Sequence, residues 1–198
     1  MSPDSKAPEG AHEIIRTRAV YEGWSRFLLA PVRLADGHIV EREIEDHGEA
    51  ACVLAYNARR KTAVLVRQLR APALFAAGAQ HTLEAIAGII EKNEDAAACA
   101  RREAQEEAHL AIAALQHVFT AWTMPGISTE RMHFFLAQYS DEVRPEVGGL
   151  PDEREDTVAG EFNLAQLARM ADAGELVDVK TLLLLQTLRL RQPELFEG

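Results

Sequence analysis

The sequence predicts an α/β fold of the α+β kind, a mixed β-sheet held between helices, with an antiparallel β-hairpin element near the N-terminus. Three observations predict it. Apolar runs of strand length recur at residues 50–56, 62–70, 82–86, 117–122, 130–139 and 157–162. Helical stretches interrupt these runs too rarely for an alternating βαβ array. Asp36-Gly37 separates two strand-like segments, 26–34 and 39–44, which is a hairpin signal.

Each element has a local reason. The strands at 50–56 and 62–70 are joined by the basic turn 57–61, and the short strand 82–86 leads into a Glu-rich segment. There Asn93, Glu94 and Asp95 have the character of a helix start, a capping side chain with acids at the positive end of the helix dipole. The Ala-rich run 96–104 continues the helix. Two strands, 117–122 and 130–139, flank the loop 124–129, and a polar loop at 140–156 precedes the strand 157–162. Asn163 caps a helix that ends at Gly174, and a leucine run marks a last helix over 180–191. No internal repeat is present.

Composition bounds the function. A chain of 198 residues is long enough to bury a core. Its formal net charge of −10 argues against a nucleic-acid backbone or an anionic membrane as partner. The acids concentrate at 91–107 and 152–156, which suits cation sites. Cys52 and Cys99 fall in an expected strand and helix and are read as small core residues. With no disulfide framework, no apolar stretch of about 18 residues and no leader-like start, a cytoplasmic protein is expected. The domain reading is a disordered tail over 1–15, a β element over 16–48 at a dimer interface, and the main domain over 49–198.

The most specific stretch is 88–110, GIIEKNEDAAACARREAQEEAHL. Gly88, Glu94, Arg102, Glu103, Glu106 and Glu107 stand at fixed spacing, a pattern that chance supplies in a chain this long roughly once in 10⁵. On a helix Glu103 and Glu107 are four apart, and Glu106 is three from Glu103, so the carboxylates share a face. Such a cluster repels itself unless a hard divalent cation takes up its charge. Glu94 and Arg102, eight apart, return to one side of the helix and can form an orienting ion pair. A solvated acidic face is the plain alternative, and the complete spacing weighs against it.

The spacing resembles the Nudix signature, G-x5-E-x7-R-E-U-x-E-E-x-G-U with U apolar; Ala104 and Leu110 fill the U positions, while His109 replaces the last glycine. Further stretches, VRQLRAPAL, LEAIAGIIE, MPGISTERMHFFLAQYSD and GEL followed by KTLLLL, resemble the nucleoside-diphosphate-sugar branch of the family. Within it the GDP-mannose pyrophosphatases are most similar, then the ADP-ribose pyrophosphatases. The resemblance implies a Nudix α/β/α sandwich and hydrolysis of a nucleotide sugar at its pyrophosphate bond, giving a nucleoside monophosphate and a sugar 1-phosphate. It implies Mg²⁺ as cofactor, with Mn²⁺ able to replace it, and a homodimer.

Residue by residue, the resemblance places metal at the Ala87 carbonyl and at the carboxylates of Glu103, Glu107 and Glu155. Glu106 matches the remaining signature acid, and Glu153 falls where related enzymes carry a candidate base. Arg70 matches an arginine on the substrate phosphates, for which a bidentate fork is suited chemistry. Glu130, Arg154 and Lys180 match positions near the nucleotide sugar, and Arg42 and Glu43 an element reaching across a dimer. Trp24 falls near an aromatic that stacks on the base, with core packing as its alternative. His81, His117 and His133 show no zinc-like spacing. ADP-ribose hydrolysis and a non-catalytic binding module are the competing readings.

Overall fold

A computed structural model describes residues 10–140 and 157–197. Contacts divide the chain into two units, one of residues up to 48 with 122–131, the other of residues 49–121 with 132 onward.

The first unit contains β1 (Glu13–Ile14), β2 (Arg18–Glu22), β3 (Arg26–Arg33) and β4 (Ile39–Asp46), all antiparallel. β3 pairs with β4 along its whole length on one edge, and with β2 and then β1 on the other. The expected hairpin is there. Asp36 Oδ1 accepts the His38 N–H at 3.0 Å, and Gly37 takes φ +88°, which a residue without Cβ adopts freely. β2 falls within the expected β element, though no strand is expected at that place, and β1 lies inside the stretch read as a tail. β2 is exposed throughout, so no buried face imposed an alternating pattern on it. The loop after residue 123 lies along β4: the Glu45 N–H donates to Ile127 O at 2.8 Å, and the Thr129 N–H donates to Glu45 O at 2.9 Å.

The second unit holds β5 (Glu49–Asn57), β6 (Thr62–Gln68), α1 (Ala71–Ala77), β7 (Thr82–Glu84), β8 (Ile86–Ile89) and α2 (Ala96–Ala108). There follow β9 (Gln116–Trp122), β10 (Arg131–Gln138), β11 (Val158–Asn163), α3 (Leu164–Asp172), α4 (Val179–Arg191) and a 3₁₀ turn at Pro193–Leu195. The mixed sheet runs β11-β6-β5-β10-β9, with β7 added to β6 and β8 to β5. β5 is buried on both faces, and its alternation sorts the core. Cys52 and Leu54 face Leu164, Leu184 and Leu188 of the α3/α4 layer; Ala51 and Val53 face Cys99, Ala100 and Ala104 of α2. This is the mixed sheet between helices that the apolar runs predicted, and the α/β/α sandwich that the resemblance implies.

Two boundaries differ from expectation. The run 62–70 stops as a strand at Gln68, and the chain turns into α1, with Pro72 in the first turn and Gly78 closing it at φ +68°. The strand expected at 82–86 is two strands, because β7 pairs with β6 while β8 pairs with β5. Ala85 lies at the changeover, and its N–H donates to Thr181 Oγ1 at 2.6 Å.

Candidate active site

α2 begins where the signature acids require. Asp95 is the N-cap, accepting the Ala98 N–H at 2.7 Å, while Asn93 turns the chain at φ +70°. Glu94 faces back and accepts the Glu91 N–H at 3.0 Å. It also receives Arg102 through both oxygens, from Nε at 3.0 Å and from Nη2 at 3.0 Å. Arg102 donates further to Glu103 at 2.6 Å, to Glu106 at 3.0 Å and to the Ile89 carbonyl at 3.1 Å. One guanidinium therefore ties the helix start, the acidic face and the end of β8 together. Its proton is held more firmly than usual, first through the Glu94 hydrogen bonds, and the Glu94 carboxyl is lowered through the same contact.

Packing explains the remaining signature positions. Ala100, Ala104, Glu107 and Ala108 fall on the buried face of α2, so small side chains let the helix approach the sheet. Glu107 is the acid on that face and is 5% exposed. Gly88 lies beneath Glu103; a Cβ there would come within 1.7 Å of Glu103 Oε1. The glycine is thus the space that the carboxylate occupies. His109 closes α2 in the left-handed conformation, φ +50°, and its ring Nδ1 stands 3.2 Å from the Gln105 carbonyl.

A second cluster forms around a residue that the sequence reading missed. Glu84 at the end of β7 is 3% exposed and receives Arg70 bidentately, Nε to Oε1 and Nη2 to Oε2, each at 2.9 Å. Lys180 and the Thr82 hydroxyl also donate to Glu84. Lys180 donates at 2.8 Å to Asp178, which caps α4 through the Thr181 N–H at 3.0 Å. Burial pushes the Glu84 carboxyl up, but the Arg70 hydrogen bonds and the Lys180 charge outweigh it and bring it down to about 2. Arg70 also feels the charge of Glu107. The available signal was the polar Glu84 in an otherwise apolar LEAIAGI run.

In the first unit Arg42 and Glu43 line, with Gly126 and Ile127, an open groove of about 330 Å³. Glu130 there takes the Thr123 hydroxyl and lies 3.7 Å from His47, and Trp24 tilts against His47 at 5.0 Å. Trp24 is 76% exposed, so the core-packing alternative does not hold. Lys180, expected near the sugar, is buried and pairs with Glu84 and Asp178. His117 and His133 both stand within hydrogen-bonding distance of Thr120, and His133 of Glu49. Glu153, Arg154 and Glu155 lie outside the described residues.

The NUDIX domain profile matches residues 46–184. The chain belongs to the Nudix family. It is 37% identical over 159 residues to GDP-mannose pyrophosphatases of Escherichia coli O157:H7 and Shigella dysenteriae serotype 1, covering 78% of this chain and 82% of each relative. A crystal structure of an ADP compounds hydrolase superposes with a TM-score of 0.74, covering 96% of this chain and 98% of that one, at 16% identity. That likeness shows the fold.

Nudix hydrolases generally need divalent cations, and the donor set here suits a hard one. Glu103 and Glu107 offer carboxylate oxygen from α2, and Gly88 on β8 keeps room for Glu103. Among the described residues no group of three or more His, Cys, Asp or Glu is gathered in metal-holding geometry; Glu103 and Glu106 are turned onto Arg102. Among the same residues no helix is long and apolar enough to cross a membrane.

Proposed function

We propose that this Nudix hydrolase cleaves the pyrophosphate bond of a nucleoside diphosphate sugar of the GDP-mannose type, giving a nucleoside monophosphate and a sugar 1-phosphate. The observation that carries this reading is the pairing of two clusters. The acids of α2 are ordered by Arg102, and Arg70 is presented from the buried Glu84 within reach of the charge of Glu107. One cluster suits cations and the other suits phosphate oxygens. The 37% identity to GDP-mannose pyrophosphatases supports the substrate class.

Mg²⁺, with Mn²⁺ as substitute, is the proposed cofactor, held by the Ala87 carbonyl and the carboxylates of Glu103, Glu107 and Glu155. When bound it supplies Lewis-acid neutralisation of the phosphate oxygens. Arg70 binds and orients the diphosphate, and Glu153 is the proposed base that removes a proton from the attacking water. Arg154, Glu130, Arg42, Glu43 and Trp24 remain proposed substrate contacts, and a cytoplasmic homodimer the proposed setting. ADP-ribose is the competing substrate.

The test is a hydrolysis screen with Mg²⁺ over GDP-mannose, ADP-ribose, other nucleotide sugars and dinucleoside polyphosphates. GDP-mannose is expected to give the highest kcat/KM, and chelation with EDTA to abolish turnover. A clear preference for ADP-ribose would replace the substrate assignment, and no turnover with any of them would overturn the enzymatic reading.

A further inference from the structure

Arg70 and Lys180 come from distant parts of the chain, the residue before α1 and the first turn of α4, yet both end on the carboxylate of Glu84. The charges alternate in space from Asp178 to Lys180 to Glu84 to Arg70. Three of these side chains are nearly enclosed, at 13%, 10% and 4% exposure, while the Arg70 side chain is 44% exposed. A row of buried charges thus has one open end, and that end is a guanidinium. Its Nε and Nη2 are committed to Glu84, which fixes the plane of the fork and leaves the remaining N–H groups to a ligand.

A buried ion-pair network is a weak device for stability alone, because apolar side chains of similar volume serve as well. It is a strong device for holding a cation at a set angle. We propose that Glu84 is a positioning residue for substrate binding: with Lys180 and Asp178 as buried partners, it pre-orients Arg70 toward the phosphate oxygens of the nucleotide sugar. The guanidinium then meets the diphosphate with little reorganisation. Lys180, on this view, acts through Glu84 and not on the sugar. The inference rests on the proposed function and extends it to a residue that touches no substrate.

A double-mutant cycle tests it, with Glu84→Gln and Arg70→Ala made singly and together. Glu84→Gln is expected to raise KM about tenfold and to leave kcat within about threefold. In the Arg70→Ala background the same change is expected to alter kcat/KM by less than about twofold, because the group that Glu84 orients is gone. Equal losses in the two backgrounds, or a KM unmoved by Glu84→Gln, overturn the inference, since a purely structural role gives independent effects. If Glu84→Gln does not fold, by circular dichroism and thermal unfolding, the cycle is run with Glu84→Asp. The charge is then kept but misplaced, and a KM rise of about threefold is expected under the same criteria. Wild-type protein that hydrolyses no nucleotide sugar overturns the proposed function itself, and this inference with it; an active wild type with an additive cycle removes this inference alone.

Discussion

Glu107 shares the sheet-facing side of α2 with Ala100, Ala104 and Ala108, and it alone among these brings charge into the interior. A carboxylate in that position suits chemistry better than packing, and Glu107→Gln keeps its shape. The change is expected to lower turnover at saturating Mg²⁺ by at least about a hundredfold with the fold retained; near-wild-type turnover would remove Glu107 from the proposed cation site. Glu84 has a different signature. Its folded-state carboxyl, at about 2, holds a proton less tightly than the unfolded value of 4.5. Its stabilisation is therefore complete above pH 4.5 and is lost as pH falls toward 2. The stability gap between wild type and Glu84→Gln, read by urea unfolding, should shrink between about pH 6 and about pH 3. A gap constant over that range would contradict the pairing. His109 is the departure from the signature, and the structure gives it a left-handed backbone, which a glycine takes freely. That conformation costs a non-glycine residue about 1 kcal/mol, and the ring lies on its own helix. His109→Gly should leave turnover within a few-fold; a loss beyond tenfold with the fold intact would mean that the imidazole serves the site.

The changeover from β7 to β8 shows how elements position the chemistry. Ala85 belongs to neither strand, and its N–H would be an unpaired buried donor without Thr181, which is fully enclosed on α4. Thr181→Val keeps the volume and removes the acceptor, so it should cost about 2 kcal/mol in urea unfolding. Two residues on, Ala87 and Gly88 sit on the displaced strand beneath α2. Gly88→Ala drives a methyl into the end of the flexible Glu103 side chain, not into backbone. Activity should fall by at least about tenfold while the melting temperature moves only a few degrees; intact activity would mean that the Glu103 placement is irrelevant. These elements were unequally legible. β5 and α2 could be read from sequence because burial on two faces and an Ala-rich acidic helix leave strong patterns. α1 and the β7/β8 break could not, because APALFAA buries no residue and carries no helical stripe. The break depends on which neighbour each half meets, information that lies in β5 and β6. Glu84 was hidden for the same reason, since its partners come from residues 70 and 180.

At the scale of the whole molecule, the two units differ in how well they bury their apolar residues. The second has enclosed clusters on both faces of its sheet. In the first, Ala30 is the one enclosed apolar side chain among the described residues, while Ile14, Val20, Tyr21, Trp24, Ile39 and Trp122 are all exposed. We infer that the exposed apolar side chains of so small a unit meet a partner, although the larger second unit also exposes such residues, Phe75 and Leu190 among them. The strongly acidic chain, at −10, makes nucleic acid a poor partner. A second copy is the economical one, because a self-complementary patch on a two-fold axis covers both copies at once. A stable dimer needs on the order of 1,200–2,000 Å² of buried surface, which a four-stranded sheet with such residues on it can supply. Sedimentation at micromolar concentration should therefore give a dimer. Tyr21→Glu, at a position 62% exposed in the single chain, should shift it toward monomer by burying an unpaired charge at the contact. If Arg42 and Glu43 serve the partner's site, the monomeric variant should also lose activity in proportion to the dimer lost, and higher protein concentration should restore part of it. A wild type that sediments only as monomer with full activity would refute the dimer, and a fully active monomeric variant would refute the contribution across it.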